Sequence, residues 1–380
     1  MNYDDIRPYN DDEVRQHISK LVEDSVFTKV LLFIYNDEQR VSDVLEMLSG
    51  IKTIHELQMK FMRPLIKDWI IDRITSGVSW SGLENLDNKQ SYLFISNHRD
   101  IILDAALLNS IIADAGMNTT EIAIGNNLLI YDWIEYVVKL NRCVVVQRNL
   151  PAKEMLAASK KLSSYIRESI TKKGNSVWIA QREGRTKDGY DQTQLALLKM
   201  INLGNKKSLI EGFKELRIVP LSISYEREPC GISKVEELYK KEYEAYVKTQ
   251  EDDLKSMAFG LMKPKGHVHF AFGDPLDNQL DDIIVSDNVN ETIPKLAEYI
   301  DKCIYNNYKL QPFNYLAADL LNNTDRYGNM IDGCTRDKFN ELLSDVVKTI
   351  NGGDAECQKQ LFMQMYANPV FNHNRVSGKD

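Results

Sequence analysis

Only five cysteines occur in 380 residues, at positions 143, 230, 303, 334 and 357. They are odd in number, widely scattered and never spaced as C-x-x-C, which excludes a disulfide framework and a cysteine zinc site and fits a reducing compartment. Long apolar runs are missing too: no stretch approaches the roughly 18 residues needed to span a bilayer. The opening "MNYDDIRPYNDDEVRQ" is acidic and polar, without the build of a secretory signal. An excess of positive charge is also lacking. With 47 basic against 55 acidic residues the formal net charge is −8, which excludes a dedicated nucleic-acid binder while leaving room for a local basic face. Neither an internal repeat nor a low-complexity tract occurs.

What is present is an ordinary globular composition, 43% hydrophobic and 27% charged. The length suits one large domain with additions, or two to three units. The first 84 residues read as a helical region: Val14, Ile18 and Leu21 keep helical spacing after an Asn10-x-x-Glu13 start signal. Farther on, Leu57, Phe61, Leu65 and Trp69 recur every four residues, with Lys60, Arg63, Lys67 and Arg73 on other faces and Pro64 set to kink or start a helix. This 57–73 stretch either packs on a neighbouring domain or lies as a basic amphipathic helix on a membrane.

From about residue 85 to 280 short apolar runs alternate with helical segments. Strands are expected at 92–96, 121–124, 143–146, 176–180, 217–224 and 267–272, and helices at 104–115, 127–140, 152–172 and 192–203. Such alternation means an α/β fold with a mixed, partly parallel sheet flanked by helices. Residues 228–262 read as a charged helical insertion, its "KKEYEAYVKTQEDDLK" a solvated helix. Residues 281–380 read as a helical C-terminal region with Phe339, Leu342, Leu343, Val346, Val347 and Ile350 on one face and a break at "NGGD", 351–354.

The chemistry gathers where apolar runs end. "FISNHRDIILDAALLN" turns from strand to helix through His98, Arg99 and Asp100, with Asp104 at the start of the helical pattern. The C-terminal ends of strands face the crevice where open α/β sheets bind ligands. A histidine there can act as general base if a carboxylate fixes its tautomer and stabilises the imidazolium. Asp104 continues the helical pattern; Asp100 is better placed to cap the helix. Three further runs end the same way: "RCVVVQR" in Arg148, "SVWIAQREGRT" in Arg182 to Thr186, and "LRIVPLSISYE" in Tyr225 and Glu226. The arginines point to an anionic ligand such as phosphate. Gly184 lets backbone approach a ligand, and Gly189 serves a turn. His267 and His269 share a strand face, a pair too small for a metal site without a third ligand.

In "NHRDIILD", "GNNLLIYDWIEYVVKLNRCVVVQR", "AQREGRTKDG", "IVPLSISYE" and the tail "GHVHFAFGDPL", residues 85–280 resemble the glycerolipid acyltransferases, closer to the glycerol-3-phosphate than to the lysophosphatidate type. The resemblance implies transfer of a fatty acyl group from an acyl-coenzyme A or acyl carrier protein thioester to a hydroxyl of glycerol-3-phosphate or 1-acyl-glycerol-3-phosphate. No metal and no permanently bound cofactor is implied. His98 would be the base, oriented by Asp104 or its rival Asp100. Substrate contacts would come from Arg99, Asn126, Arg148, Arg182, Glu183, Gly184, Arg185 and Thr186. The implied setting is cytoplasmic, peripheral to the inner face of the cell membrane, without nucleic acid; the oligomeric state stays open. Acylation of another alcohol or an amine, such as an amino-acid lipid, and an idle lipid-binding member of the fold are the competing readings.

Overall fold

The computed structural model describes residues 1–243, 246, 249–350 and 352–378. Residues 244, 245, 247 and 248 of the expected insertion, and Asn351 of the expected break, lie outside the described residues.

Seven strands form one sheet: β1 (Thr75–Ser81), β2 (Leu93–Ser96), β3 (Glu121–Gly125), β4 (Cys143–Val146), β5 (Val177–Ala180), β6 (Ile218–Tyr225) and β7 (Gly266–Phe272). Their order is β1-β7-β6-β2-β5-β3-β4. All neighbours are parallel except β6 and β7. The parallel set β6, β2, β5, β3 and β4 therefore ends along one edge, where "NHRD", the 182–186 loop, Asn126 and Arg148 all emerge. β2 and β6 are buried throughout, as their mostly apolar sequences require of central strands covered on both faces.

Helices cover both faces. On one, Leu107, Leu108 and Ile111 of the helix Leu103–Asp114 pack with Ile66 and Ile70 on Phe94 and Phe270. On the other, Leu162 and Ile166 of Ala152–Thr171, Leu198 of Leu195–Asn202 and Leu296 and Ile300 of Val289–Asn307 cover Leu93, Val144 and Val177. The expected strands and helices are present with small shifts at their ends. The largest is that the helix expected at 127–140 begins at Asp132, after a short turn at Asn126–Leu128.

β1 was not expected. It stands at the edge of the sheet, paired in parallel with β7, and its sequence "TSGVSWS" carries too little apolar alternation to mark a strand. The helical N-terminal stretch accordingly stops at Ile74. Within it, the Glu13 carboxylate accepts the Asn10 N–H at 2.7 Å, as the start signal requires. The run Ile54–Ile74 continues through Pro64 without a break. It widens instead into π turns at Gln58–Met62 and Ile66–Ile71, which accommodate the missing proline N–H. Leu57 and Phe61 are buried among the first helices, and Ile66 and Ile70 against the sheet. Most of this apolar face is thus committed to protein packing.

The C-terminal helices Pro312–Asn322, Gly333–Ile350 and Ala355–Ser377 form a separate cluster around Phe339, Val346 and Phe362, joined by Val235 of the helix Gly231–Tyr243. Gly189 reaches this cluster and does more than serve a turn. It has a φ of 75°, and a Cβ there would lie 2.1 Å from the Met365 carbonyl oxygen, so the loop passes against the last helix with no room for a side chain.

Candidate active site

After Ser96 the chain leaves β2 but stays fastened to β6, because Asn97 imitates a strand residue: its side chain exchanges hydrogen bonds with Ile223 N–H (2.8 Å) and Ile223 C=O (2.9 Å). His98 follows at the edge. Its Nδ1 lies 2.8 Å from Asp104 Oδ2, and its side chain is 14% exposed while Asp104 is wholly buried. The five residues between them are absorbed before the helix, in a turn over Arg99–Ile102 capped by Asp100, whose Oδ1 accepts the N–H groups of Ile102 and Leu103 at 2.9 Å. The rivalry between the two acids is therefore resolved: Asp100 caps and Asp104 meets the histidine.

Asp104 is held from several sides. Besides His98, Oδ2 accepts the backbone N–H of Arg99 (2.7 Å) and Asp100 (3.1 Å), and Oδ1 accepts Tyr225 Oη–H at 2.7 Å. Burial alone would raise its pKa, but the bonds from His98, Arg99 and Tyr225 outweigh that and hold the carboxyl below its usual value. An ionised Asp104 fixes the proton on Nδ1 and leaves Nε2 as the basic nitrogen. Among the described residues no hydrogen bond reaches Nε2. The Trp178 indole packs edge-on against the imidazole at a centroid distance of 5.6 Å and is itself fixed by donating Nε1–H to Ser96 Oγ at 2.9 Å.

The arginines divide. Arg99, expected to touch substrate, is instead fully buried among protein partners: it pairs with Asp191 and Glu228 and stacks over Tyr308. Burial opposes its charge, yet those two carboxylates keep it protonated. Burial also pushes the Asp191 carboxyl upward, with Arg99 and the Thr186 hydroxyl opposing that rise. Of the two, the arginine is the group whose charge is certain, since guanidinium does not lose its proton in proteins. Lys234 completes the set, donating to Glu228 at 2.5 Å and to the Arg99 carbonyl at 2.8 Å.

Arg148 and Glu183 approach within 3.4 Å, and with Arg182 they line a hollow of about 460 Å³ at the ends of β4 and β5. Asn126 braces this corner by accepting the Arg148 N–H (3.1 Å) and donating to Gln147 (3.1 Å). Gly184 adopts a left-handed φ of 70°, after which Arg185 turns inward while Glu183 stays in solvent. Arg185 is buried, its Nη1 without a hydrogen-bond partner among the described residues, and it does not line the hollow of Arg148. Of the expected phosphate contacts, the hollow brings together Arg148, Arg182 and Glu183, with Arg185 outside its wall. Thr186 is structural: its hydroxyl donates to Asp191 at 2.5 Å and its N–H to the His98 carbonyl at 2.9 Å.

Below Ile101 and Ile102 a cavity of about 180 Å³ runs between the helix Leu103–Asp114, β3 and the 58–66 helix, lined by Met59, Met62, Ala105, Ala106 and Cys143 among others. His269 lies between the hydroxyls of Ser79 (2.7 Å) and Ser81 (3.2 Å), stitching β7 to β1. No group of three metal-ligating side chains occurs among the described residues.

Tyr225, Trp178, Asp191 and Glu228 are the site's unassigned members. Tyr225 ends an apolar strand in "YE", the one local signal; the others carry none.

Residues 77–224 match the family model described as Acyltransferase. Among solved structures, the 1-acyl-sn-glycerophosphate (LPA) acyltransferase PlsC from Thermotoga maritima is similar over 77% of this chain and 91% of that chain, at 12% identity and a TM-score of 0.38. No curated protein matches the chain.

Proposed function

From the premise that residues 77–224 are an acyltransferase domain, we propose that this chain moves a fatty acyl group from a coenzyme A or acyl carrier protein thioester to a hydroxyl of glycerol-3-phosphate or 1-acyl-glycerol-3-phosphate. The observation that carries this reading is the 2.8 Å contact of His98 Nδ1 with a buried, ionised Asp104, which leaves a basic Nε2 at the strand edge.

In the proposed step Nε2 takes the proton of the acceptor hydroxyl as its oxygen attacks the thioester carbonyl. The tetrahedral intermediate then collapses, the carbon–sulfur bond breaks, and the imidazolium returns its proton to the leaving thiolate. The balance needs neither a metal nor a permanent cofactor. Arg148 and Arg182, in one hollow with Glu183, suit the acceptor's phosphate, which guanidinium meets with paired hydrogen bonds. The apolar cavity beneath Ile101 and Ile102 suits the acyl chain.

Membrane association belongs to the same proposal. Among the described residues no helix is long and apolar enough to cross a membrane. Val26, Leu32 and Phe33 of the helix Ser25–Tyr35 are exposed apolar residues, and Phe33 touches Trp69 with ring centroids 6.4 Å apart. They offer a lipid contact that the buried face of the 57–73 stretch does not. The proposed place of action is the inner face of the cell membrane.

The test is acceptor-dependent thiol release from palmitoyl-coenzyme A and palmitoyl-acyl carrier protein, with glycerol-3-phosphate and lysophosphatidate in parallel. Release with one pairing identifies donor and acceptor. Failure of all four pairings overturns the proposal in favour of another acceptor or a lipid-binding role.

A further inference from the structure

The two oxygens of Asp104 have different partners. Oδ2 serves His98 and two backbone N–H groups, whereas Oδ1 receives the Tyr225 hydroxyl at 2.7 Å. Tyr225 is the last residue of β6, paired in register with Val268 of β7, and is 1% exposed. Its backbone is fixed by the sheet and its ring by the core. We infer that Tyr225 is a positioning residue of the transfer reaction, which orients Asp104 and sets the pH range over which the His98–Asp104 pair works. This rests on the proposed function only in naming the reaction.

The physical basis is a shared carboxylate. A phenol that donates to Oδ1 draws negative charge toward that oxygen and weakens the hold of Oδ2 on an imidazolium. It also fixes the carboxylate plane, so that Oδ2 faces Nδ1. The phenol is a constant donor: burial, then the neighbouring Asp104 and Asp100 charges, keep its proton on well above the ordinary tyrosine range. Other charges surround the pair on every side. Asp100, on the turn before the helix, and Glu228, beyond β6, both act on Tyr225 through their charge. Arg185, Lys234 and Lys265 lie around Cys230, beside Asp100. Trp178 closes the β5 side without charge. Replacing Tyr225 by Phe leaves all of these in place and deletes one hydrogen bond.

The experiment compares the full chain with Tyr225→Phe and Ser224→Ala. Ser224, one residue earlier on β6, accepts the Lys309 N–H at 2.9 Å and controls for loss of a buried hydroxyl remote from Asp104. Two readouts are taken: the pH profile of kcat/KM, and an NMR titration of the His98 ring, assigned by its loss in His98→Ala. In Tyr225→Phe both should move upward together by about half a pH unit or more, with kcat on the plateau reduced up to about tenfold and KM nearly unchanged. Ser224→Ala should move neither. An unshifted ring titration and acid limb in Tyr225→Phe, or an equal shift in Ser224→Ala, would overturn the inference. Absence of acyl transfer in the wild type would count against the proposed function alone, and the ring titration would still decide the role of Tyr225.

Discussion

The carbonyl of His98 accepts a hydrogen bond from the Thr186 N–H at 2.9 Å. This contact binds the histidine turn to the arginine-rich loop, two segments that leave neighbouring strands β2 and β5. Thr186 in turn donates its hydroxyl to Asp191, which pairs with Arg99 next to His98. The circuit continues outward: Arg99 meets Glu228, whose N–H bonds to Tyr366 Oη at 2.8 Å, and Tyr305 donates to the Asp191 carbonyl. The C-terminal helices are therefore braces of the loop that carries the histidine.

Asp104 and Asp100 make distinct predictions. Asp104→Ala removes the orienting carboxylate and should lower kcat/KM by about 10³-fold or more. Asp100→Ala removes a helix cap, costing about 1 kcal/mol of stability while leaving turnover within about tenfold. Steady-state kinetics and thermal unfolding of both variants check this. Equal kinetic losses would contradict the assignment.

Filling the apolar cavity should change chain-length preference. Ala106→Phe places a ring where the cavity wall now carries a methyl group, and should reduce turnover of a palmitoyl donor relative to an octanoyl donor by about tenfold. An unchanged ratio would place the acyl chain elsewhere.

Much of the sheet was legible because β2, β4 and β5 are short, almost wholly apolar runs and β6 a mostly apolar one, all bounded by polar turns. β1 was illegible for the opposite reason: an edge strand needs little apolar surface, and "TSGVSWS" supplies little. In the site, the helical pattern after it favoured Asp104 over Asp100, and the structure brings Asp104 to His98. Arg99 misled because a buried ion-paired arginine and a ligand-binding arginine look alike in sequence. Its partners Asp191 and Glu228 lie 92 and 129 residues away, beyond any local pattern. The left-handed backbone at Gly184 separates an exposed Glu183 from a buried Arg185, a change of direction that no local pattern announces.

Gly189 should tolerate no side chain. Gly189→Ala combines a left-handed backbone with a clash against the Met365 carbonyl, and should destabilise the fold by about 2–4 kcal/mol, read as a lower unfolding midpoint. A midpoint equal to wild type would mean that the last helix does not pack on this loop.

Asp301 gives stability a pH dependence. Burial raises its carboxyl from 3.8 to about 6, against the hydrogen bonds it accepts from the Thr193 N–H and hydroxyl. The folded state thus holds a proton that the unfolded chain releases earlier. Its stabilisation is complete below about pH 4 and is lost as pH rises through about 6. Asp301→Asn keeps the acceptor oxygen and removes the titration. Relative to wild type it should gain up to about 3 kcal/mol between pH 4 and 7.5, measured by denaturant unfolding at a series of pH values. Parallel stability profiles would refute this.

The most direct test of the account is thiol release by His98→Ala beside wild type, with the acceptor and donor that support turnover. The account predicts a variant that melts near the wild-type temperature and has lost about 10³-fold or more of its acceptor-dependent release. A folded His98→Ala protein that transfers acyl groups at the wild-type rate would contradict it.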